Sequence, residues 1–275
     1  METVVLLALA AAAFYGASDF YGGLLSRSAH YTRVGFVGQA AAASGALLAA
    51  IVLGSPFPGG STLLWGLGAG LGGALGTLAL YRGLAQGRMN IAGPLSAVGA
   101  AGVPVLVDLL FGERLTLLAV LGVLVAIPGI WLVSSQTGPS DGGGIREGLL
   151  AGLGFAGLFV CLDRAGDSSG LWPVAVGQVA AVLVLGVVVL RTAVEAGTSR
   201  PSWKAAVPGV LGVSATILYF LAAREGTLAV AAVITSLFPA FTVALAAIVL
   251  RERTTVTHGA GLALCAVAVG AFAAG

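Results

Sequence analysis

Apolar stretches of about twenty residues, parted by short polar or glycine-rich breaks, run along this 275-residue chain. A helix needs about 20 apolar residues to cross a hydrocarbon layer of about 30 Å. The pattern predicts ten such helices, over residues 3–26, 34–54, 61–82, 90–111, 115–135, 147–165, 171–192, 204–223, 227–250 and 256–274. They use most of the chain and leave no room for a soluble domain. The two narrowest breaks carry charge, Glu113-Arg114 in one and Arg251-Glu252-Arg253 in the other. The longest central break, 134–147, holds Pro139, Asp141 and Gly142-Gly143-Gly144, which is linker chemistry.

The pattern also repeats. Val37-Gly38-Gln39 returns as Val176-Gly177-Gln178, Gly87 as Gly226 and Glu113-Arg114 as Glu252-Arg253, each 139 residues on. With the boundary near residue 140, the first repeat covers 1–139 and the second 140–275. Each holds five spans. Five is odd, so the second repeat enters the membrane in the opposite sense. The expected fold is an all-α polytopic membrane protein, ten transmembrane helices arranged as two inverted five-helix repeats. Inverted repeats are the architecture of secondary transporters.

Composition narrows the picture. The chain is 58% hydrophobic and 9% charged, against about 25% charged for a soluble domain. Lipid must therefore surround most of it, as in a multi-pass protein of the cell membrane. A net charge of +2 without a basic cluster argues against nucleic acid. Cys161 and Cys265 lie in apolar runs without metal-ligand spacing and read as small buried hydrophobes. No metal or other cofactor is expected. Residues 3–25 exceed a signal peptide's apolar region and lack a basic start, so they read as the first span. Gly68, Gly70 and Gly73 match G-x-G-x-x-G, but inside an apolar span rather than after a strand. There, with Gly72 and Gly76, they serve helix packing.

Positive residues favour the cytoplasmic side. The breaks after spans one, three, five, seven and nine hold ten Lys/Arg and the other side three, which places both termini outside.

Several stretches together resemble the EamA-type branch of the drug/metabolite transporter superfamily. They are Tyr15-Gly16-Ala17-Ser18-Asp19-Phe20, Tyr81-Arg82-Gly83-Leu84-Ala85 leading to Ala92-Gly93-Pro94, and Leu110-Phe111-Gly112-Glu113-Arg114-Leu115. The second half supplies Tyr219-Phe220-Leu221-Ala222-Ala223, Leu237-Phe238-Pro239 and Val249-Leu250-Arg251-Glu252-Arg253. The chain departs from the family in reading Gly22-Gly23-Leu24 where a Lys is frequent, and Gln39 where an Arg is frequent. The resemblance implies a ten-helix permease for small metabolites, amino acids or drugs, frequently an exporter. It implies a central cavity lined by spans one, three, four, six, eight and nine, with five and ten peripheral. It also implies cytoplasmic termini, opposite to the charge count.

Asp19 is the sharpest candidate for function. A carboxylate inside a span costs roughly 2.5–3.5 kcal/mol on insertion scales, so it should face the bundle interior or water. It reads as a proton-coupling or substrate-amine site, against a structural hydrogen bond near Arg27 and His30. Gln39 and Gln178 offer amide donors and acceptors near the repeat axis, either to substrate or to each other's helices. Tyr15, Tyr81 and Tyr219 read as cavity hydroxyls or as an interfacial aromatic belt. Ser96, Thr235 and Ser236 are small polar residues of spans four and nine, open to bonding with substrate or with their own helix. Pro94, Pro104 and Pro239 predict bends that differ between the halves. Glu113 and Glu252 read as acids at turns.

The main reading is a secondary active transporter whose partners are a small-molecule substrate and the bilayer, acting as a monomer or weak homodimer by alternating access. The alternative is a membrane-embedded enzyme acting on a lipid or small molecule. It lacks clustered His, Ser/Asp or metal ligands at membrane depth. His30 and His258 fall near breaks, and no phosphate-binding loop exists.

Overall fold

The computed structural model describes residues 2–26, 29, 31–85, 89–134, 144–166, 168–192, 203–250 and 255–274. Among them are helices α1 (Glu2–Ser26), α2 (Tyr31–Val52), α3 (Gly60–Ala85), α4 (Met89–Leu110), α5 (Leu117–Ser134) and α6 (Ile145–Arg164). They continue as α7 (Trp172–Thr192), α8 (Ala206–Glu225), α9 (Leu228–Thr235), α10 (Phe238–Val249) and α11 (Val256–Ala274). Helices α9 and α10 are the two halves of one span, so the chain forms the ten spans that its apolar pattern predicts. Residue 140, where the two repeats were expected to join, lies outside the described residues.

The ninth span is interrupted for a local reason. The Ser236 amide donates to the Ala232 carbonyl at 2.9 Å and the Leu237 amide to the Ile234 carbonyl at 3.1 Å, which tightens the last turn of α9. Pro239 then stands in the first turn of α10, where a missing N–H costs little. Helix α4, the counterpart in the first repeat, runs unbroken through Pro104. The start of α9 is capped from another helix. Asp108 of α4 is buried and accepts from the Ala229 amide at 2.7 Å. A carboxylate at a helix N-terminus satisfies an orphan donor and meets the positive end of the helix dipole.

The packing has a two-fold pattern. Helix α3 packs on α6 as α8 packs on α1, and α4 packs on α6 as the ninth span packs on α1. Contacts of α3 with α7 match those of α8 with α2. Helices α2 and α7 meet each other, as do α5 and α11, so these pairs straddle the axis. This is the contact pattern of two inverted five-helix repeats.

The side-chain distribution reverses that of a soluble protein. Large apolar residues face outward: Leu6, Leu48, Leu124 and Leu183 are each more than 60% exposed. The interior is rich in alanine, with Ala8, Ala69, Ala100 and Ala126 fully buried. Lipid tails are as apolar as leucine, so association rests on close van der Waals contact between small residues.

The tightest contacts obey the repeat. A methyl group built on Gly209 of α8 would overlap the Gly38 carbonyl of α2, and one on Gly70 of α3 would overlap the Gly177 carbonyl of α7. Gly177 follows Gly38, and Gly209 follows Gly70, by the same 139-residue step. The α5–α11 pair does likewise: Gly122 meets Phe272, and its counterpart Gly261 meets Val133.

Because the obstructing atom at Gly209 is backbone, Gly209→Ala should lower thermal stability in detergent or nanodiscs, by about 1–3 kcal/mol for overpacking. Gly102→Ala, where an added Cβ meets nothing within 4 Å, should not. Equal unfolding curves for the two variants would contradict the packing.

Candidate translocation cavity

A cavity of about 150 Å³ lies between the two repeats. One ordered water needs only about 10–15 Å³ by this kind of measure, so the space suits a solute. Its walls come from α1, α2 and α3 of the first repeat and α6, α7, α8 and α10 of the second. Their glycines and alanines, including Gly38, Gly70, Gly177 and Gly209, leave the room that larger side chains would fill.

Spans two and seven therefore line the cavity and no described residue of span four does, which differs from the expectation drawn from the resemblance. Helices α2 and α7 reach the wall because they meet across the axis, whereas α4 packs behind α6 and α9. Spans five and ten contribute no lining residue.

Asp19 is at the wall. It lies five residues past the midpoint of α1, about 8 Å along the axis at 1.5 Å per residue. That depth is well within a hydrocarbon layer of about 30 Å. The helix neighbours keep it partly buried, and among the described residues no side chain hydrogen-bonds or ion-pairs with its carboxylate. It is also the one charged residue in the described lining.

Beside it runs a polar chain across four helices. Gln39 Nε2 of α2 donates to Gln178 Oε1 of α7, joining the two repeat-related glutamines directly. Gln178 Nε2 donates to Thr216 Oγ1 of α8 at 3.5 Å. The Thr216 hydroxyl spends its hydrogen on the Gly212 carbonyl at 2.9 Å. Tyr15 of α1, 2.8 Å from Thr216 Oγ1, must therefore be the donor in that pair. Ser18, next to Asp19, donates to the Pro208 carbonyl at 2.8 Å.

Of the residues singled out from sequence, Tyr15, Asp19, Gln39 and Gln178 come together at this wall. The other described ones do not. Tyr219 is fully buried, stacked on Phe159 at 4.2 Å between ring centroids, and donates to the Phe159 carbonyl at 3.0 Å. Ser96 is buried in α4 and donates to the Gly93 carbonyl at 2.8 Å. Thr235 and Ser236 are buried at the break in span nine, behind the wall, with hydroxyls that have no hydrogen-bond partner among the described residues. The Tyr81 side chain lies outside the described residues. Thr77 and Thr216, repeat counterparts at the same step, both line the cavity. They were missed, although a threonine recurring 139 residues later is the signal that singled out the glutamines.

The counterpart of Asp19 also shifts. Sequence counting places Val160 opposite it. In the structure Gly212 faces Ser18 and its counterpart Gly73 faces Leu158. Ser18 thus pairs with Leu158, and Asp19 with the next residue, Phe159. A carboxylate on one wall is matched by an aromatic ring on the other.

Both ends of the described chain lie on one face of the bundle, which follows from ten spans. Toward that face the lining residues Leu162 and Val174 are each only 1% exposed. There Arg164 lies over the Phe111 ring at 4.0 Å and Arg224 over Phe220 at 4.1 Å. Toward the opposite face Ser18, Asp19, Gly35 and Thr77 are partly exposed, while Val34, Leu80 and Pro208 are buried.

Two inverted helical repeats enclosing a polar-edged cavity define a polytopic membrane transporter. The chain belongs to the EamA-like transporter family, whose model matches residues 2–135 and again 144–273. Members of that family are transporters of the drug/metabolite superfamily rather than enzymes. A crystal structure described only as that of a protein shares the fold with a TM-score of 0.79 and 14% identity, over 99% of this chain and 96% of that one. No curated protein matches the sequence.

If the glutamine pair is a structural tie at the axis, Gln39→Ala and Gln178→Ala should each destabilise the protein, and the double variant by less than the sum. Coupling energies between polar groups in membrane bundles average about 0.6 kcal/mol. A double-variant cycle on unfolding in nanodiscs measures it, and strict additivity would count against the tie.

Proposed function

We propose that this protein is a secondary active exporter of small solutes in the cell membrane, working by alternating access and coupled to protons through Asp19. The observation that carries the reading is one carboxylate, uncompensated among the described lining residues, at membrane depth in a cavity shared by both repeats. Intramembrane acids of this kind mark ion and proton pathways. The two-fold packing supports alternating access, because a frame of inverted repeats has two equivalent ways to close.

Loading from the cytoplasm follows from the charge distribution. Asp19 lies in the half of the cavity nearer the end carrying Arg82, Arg146, Arg191 and Lys204, which the positive-inside rule assigns to the cytoplasm. This orientation follows the charges of this chain rather than the cytoplasmic termini implied by the family resemblance.

Two measurements test the proposal. In proteoliposomes, wild-type flux should respond to an imposed proton gradient, and Asp19→Asn should lose that response while staying folded. Gradient-driven flux by Asp19→Asn at the wild-type rate would remove the coupling role. For orientation, Cys161 and Cys265 are replaced by alanine and one cysteine is introduced at Phe57 or Trp203, which are 83% and 77% exposed at opposite faces. A membrane-impermeant maleimide on intact cells should label position 57 and spare 203; the reverse pattern inverts the assignment.

A further inference from the structure

We propose that the cargo of this cavity is an organic monocation, an amine or ammonium carried on an apolar, ring-sized body. The proposal rests on the reading of the cavity as a transport site and adds its chemistry.

Charge sets the first condition. The described lining holds Asp19 and no Lys, Arg or His. Titratable groups with described side chains on the helices packed against α1 are Arg33 on α2, Tyr219, Arg224 and Glu225 on α8, and His258 and Cys265 on α11, none of them at the wall. Tyr15 lines the cavity but donates its hydroxyl to Thr216. An anion entering here meets a like charge that no basic side chain among the described lining residues offsets. An amino-acid zwitterion brings a carboxylate that faces the same absence. A neutral solute leaves Asp19 desolvated and unpaired unless the coupling proton stays on it, whereas a monocation can take that proton's place. A single positive charge neutralises the carboxylate. A divalent metal ion would need further acids, and the described residues contain no group of three or more His, Cys, Asp or Glu that could hold a metal.

The rest of the wall sets the second condition. Tyr15 and Phe238, in edge contact at 6.4 Å between centroids, line the cavity with Phe155 and Phe159. Aromatic faces attract a cation within about 6 Å, and more strongly once it is desolvated. The hydroxyls of Ser18 and Thr216 already donate to backbone carbonyls. Those two hydroxyls are not free to donate to an anionic group, while apolar and aromatic surface remains.

The test uses four probes that share a phenyl ring: benzyltrimethylammonium, phenylacetate, phenylalanine and benzyl alcohol. Binding is measured by calorimetry on the full chain in nanodiscs, and flux in proteoliposomes. The cation should bind and cross, with phenylacetate and phenylalanine at least about tenfold weaker, a difference of about 1.4 kcal/mol. Asp19→Asn should weaken the cation at least about tenfold and leave benzyl alcohol within about twofold. Asp19→Glu, which keeps the charge, should recover part of the loss. Benzyl alcohol binding and a melting curve show whether each variant is folded. Failure of the cation to bind wild type overturns the proposal. So does tighter binding of phenylacetate or phenylalanine, or unchanged cation affinity in Asp19→Asn. Flux of phenylalanine without flux of the cation overturns the cargo assignment and keeps the transporter. Cation binding without any flux keeps the site and removes the transport reading.

Discussion

Backbone touches backbone at two symmetry-related places, Gly38 against Gly209 and Gly70 against Gly177, and the rest of the molecule depends on those approaches. In lipid, burying leucine against leucine gains little over leucine against acyl chains, so helices must win their association by contact density. Glycine supplies it by letting α2 reach α8 and α3 reach α7 without an intervening side chain. The same four glycines stand at the cavity wall. One substitution class therefore serves two needs: it draws the repeats together, and it leaves space between them for a solute. A larger residue at these positions would push the helices apart and occupy the space as well.

On this symmetric frame the chemistry is asymmetric. Gln39 and Gln178 meet at the axis and tie one repeat to the other. Asp19, one turn beyond Tyr15, has an aromatic counterpart in Phe159 rather than a second acid. The ninth span breaks at Ser236 and Leu237, while α4 does not. A second carboxylate across the cavity would create like-charge repulsion; a ring there adds a face that tolerates a cation. Divergence between the copies thus makes the two walls chemically different, and the shared residues supply the frame.

The spans, their number and the repeat were legible because apolar length and a constant 139-residue step leave direct marks in a chain. The facing of each helix was not. Several spans are apolar around their whole circumference, so nothing in α4 says that Ser96 turns inward to its own backbone while α2 presents Gln39 to the cavity. Tyr219 illustrates the limit: a tyrosine near the predicted end of its span suggests an aromatic belt or a cavity hydroxyl, yet its ring packs on Phe159 and its hydroxyl is consumed by a carbonyl. Thr77 and Thr216 show that the repeat held more information than was drawn from it. Asp19 stood out because a carboxylate within an apolar span is costly, and it lies at the cavity wall.

The central claim is that solute crosses through the cavity between the repeats, and obstruction tests it most directly. Gly73 lies at the wall, where an added Cβ would stand 3.2 Å from Leu158 Cδ1, the end of a flexible side chain. Gly270 of α11 is exposed, with nothing within 4 Å of an added Cβ. Proteoliposome flux of benzyltrimethylammonium is compared for Gly73→Trp and Gly270→Trp, each shown to be folded by its melting curve. Flux lost in the first and kept in the second is the predicted result; equal flux through both would contradict the account.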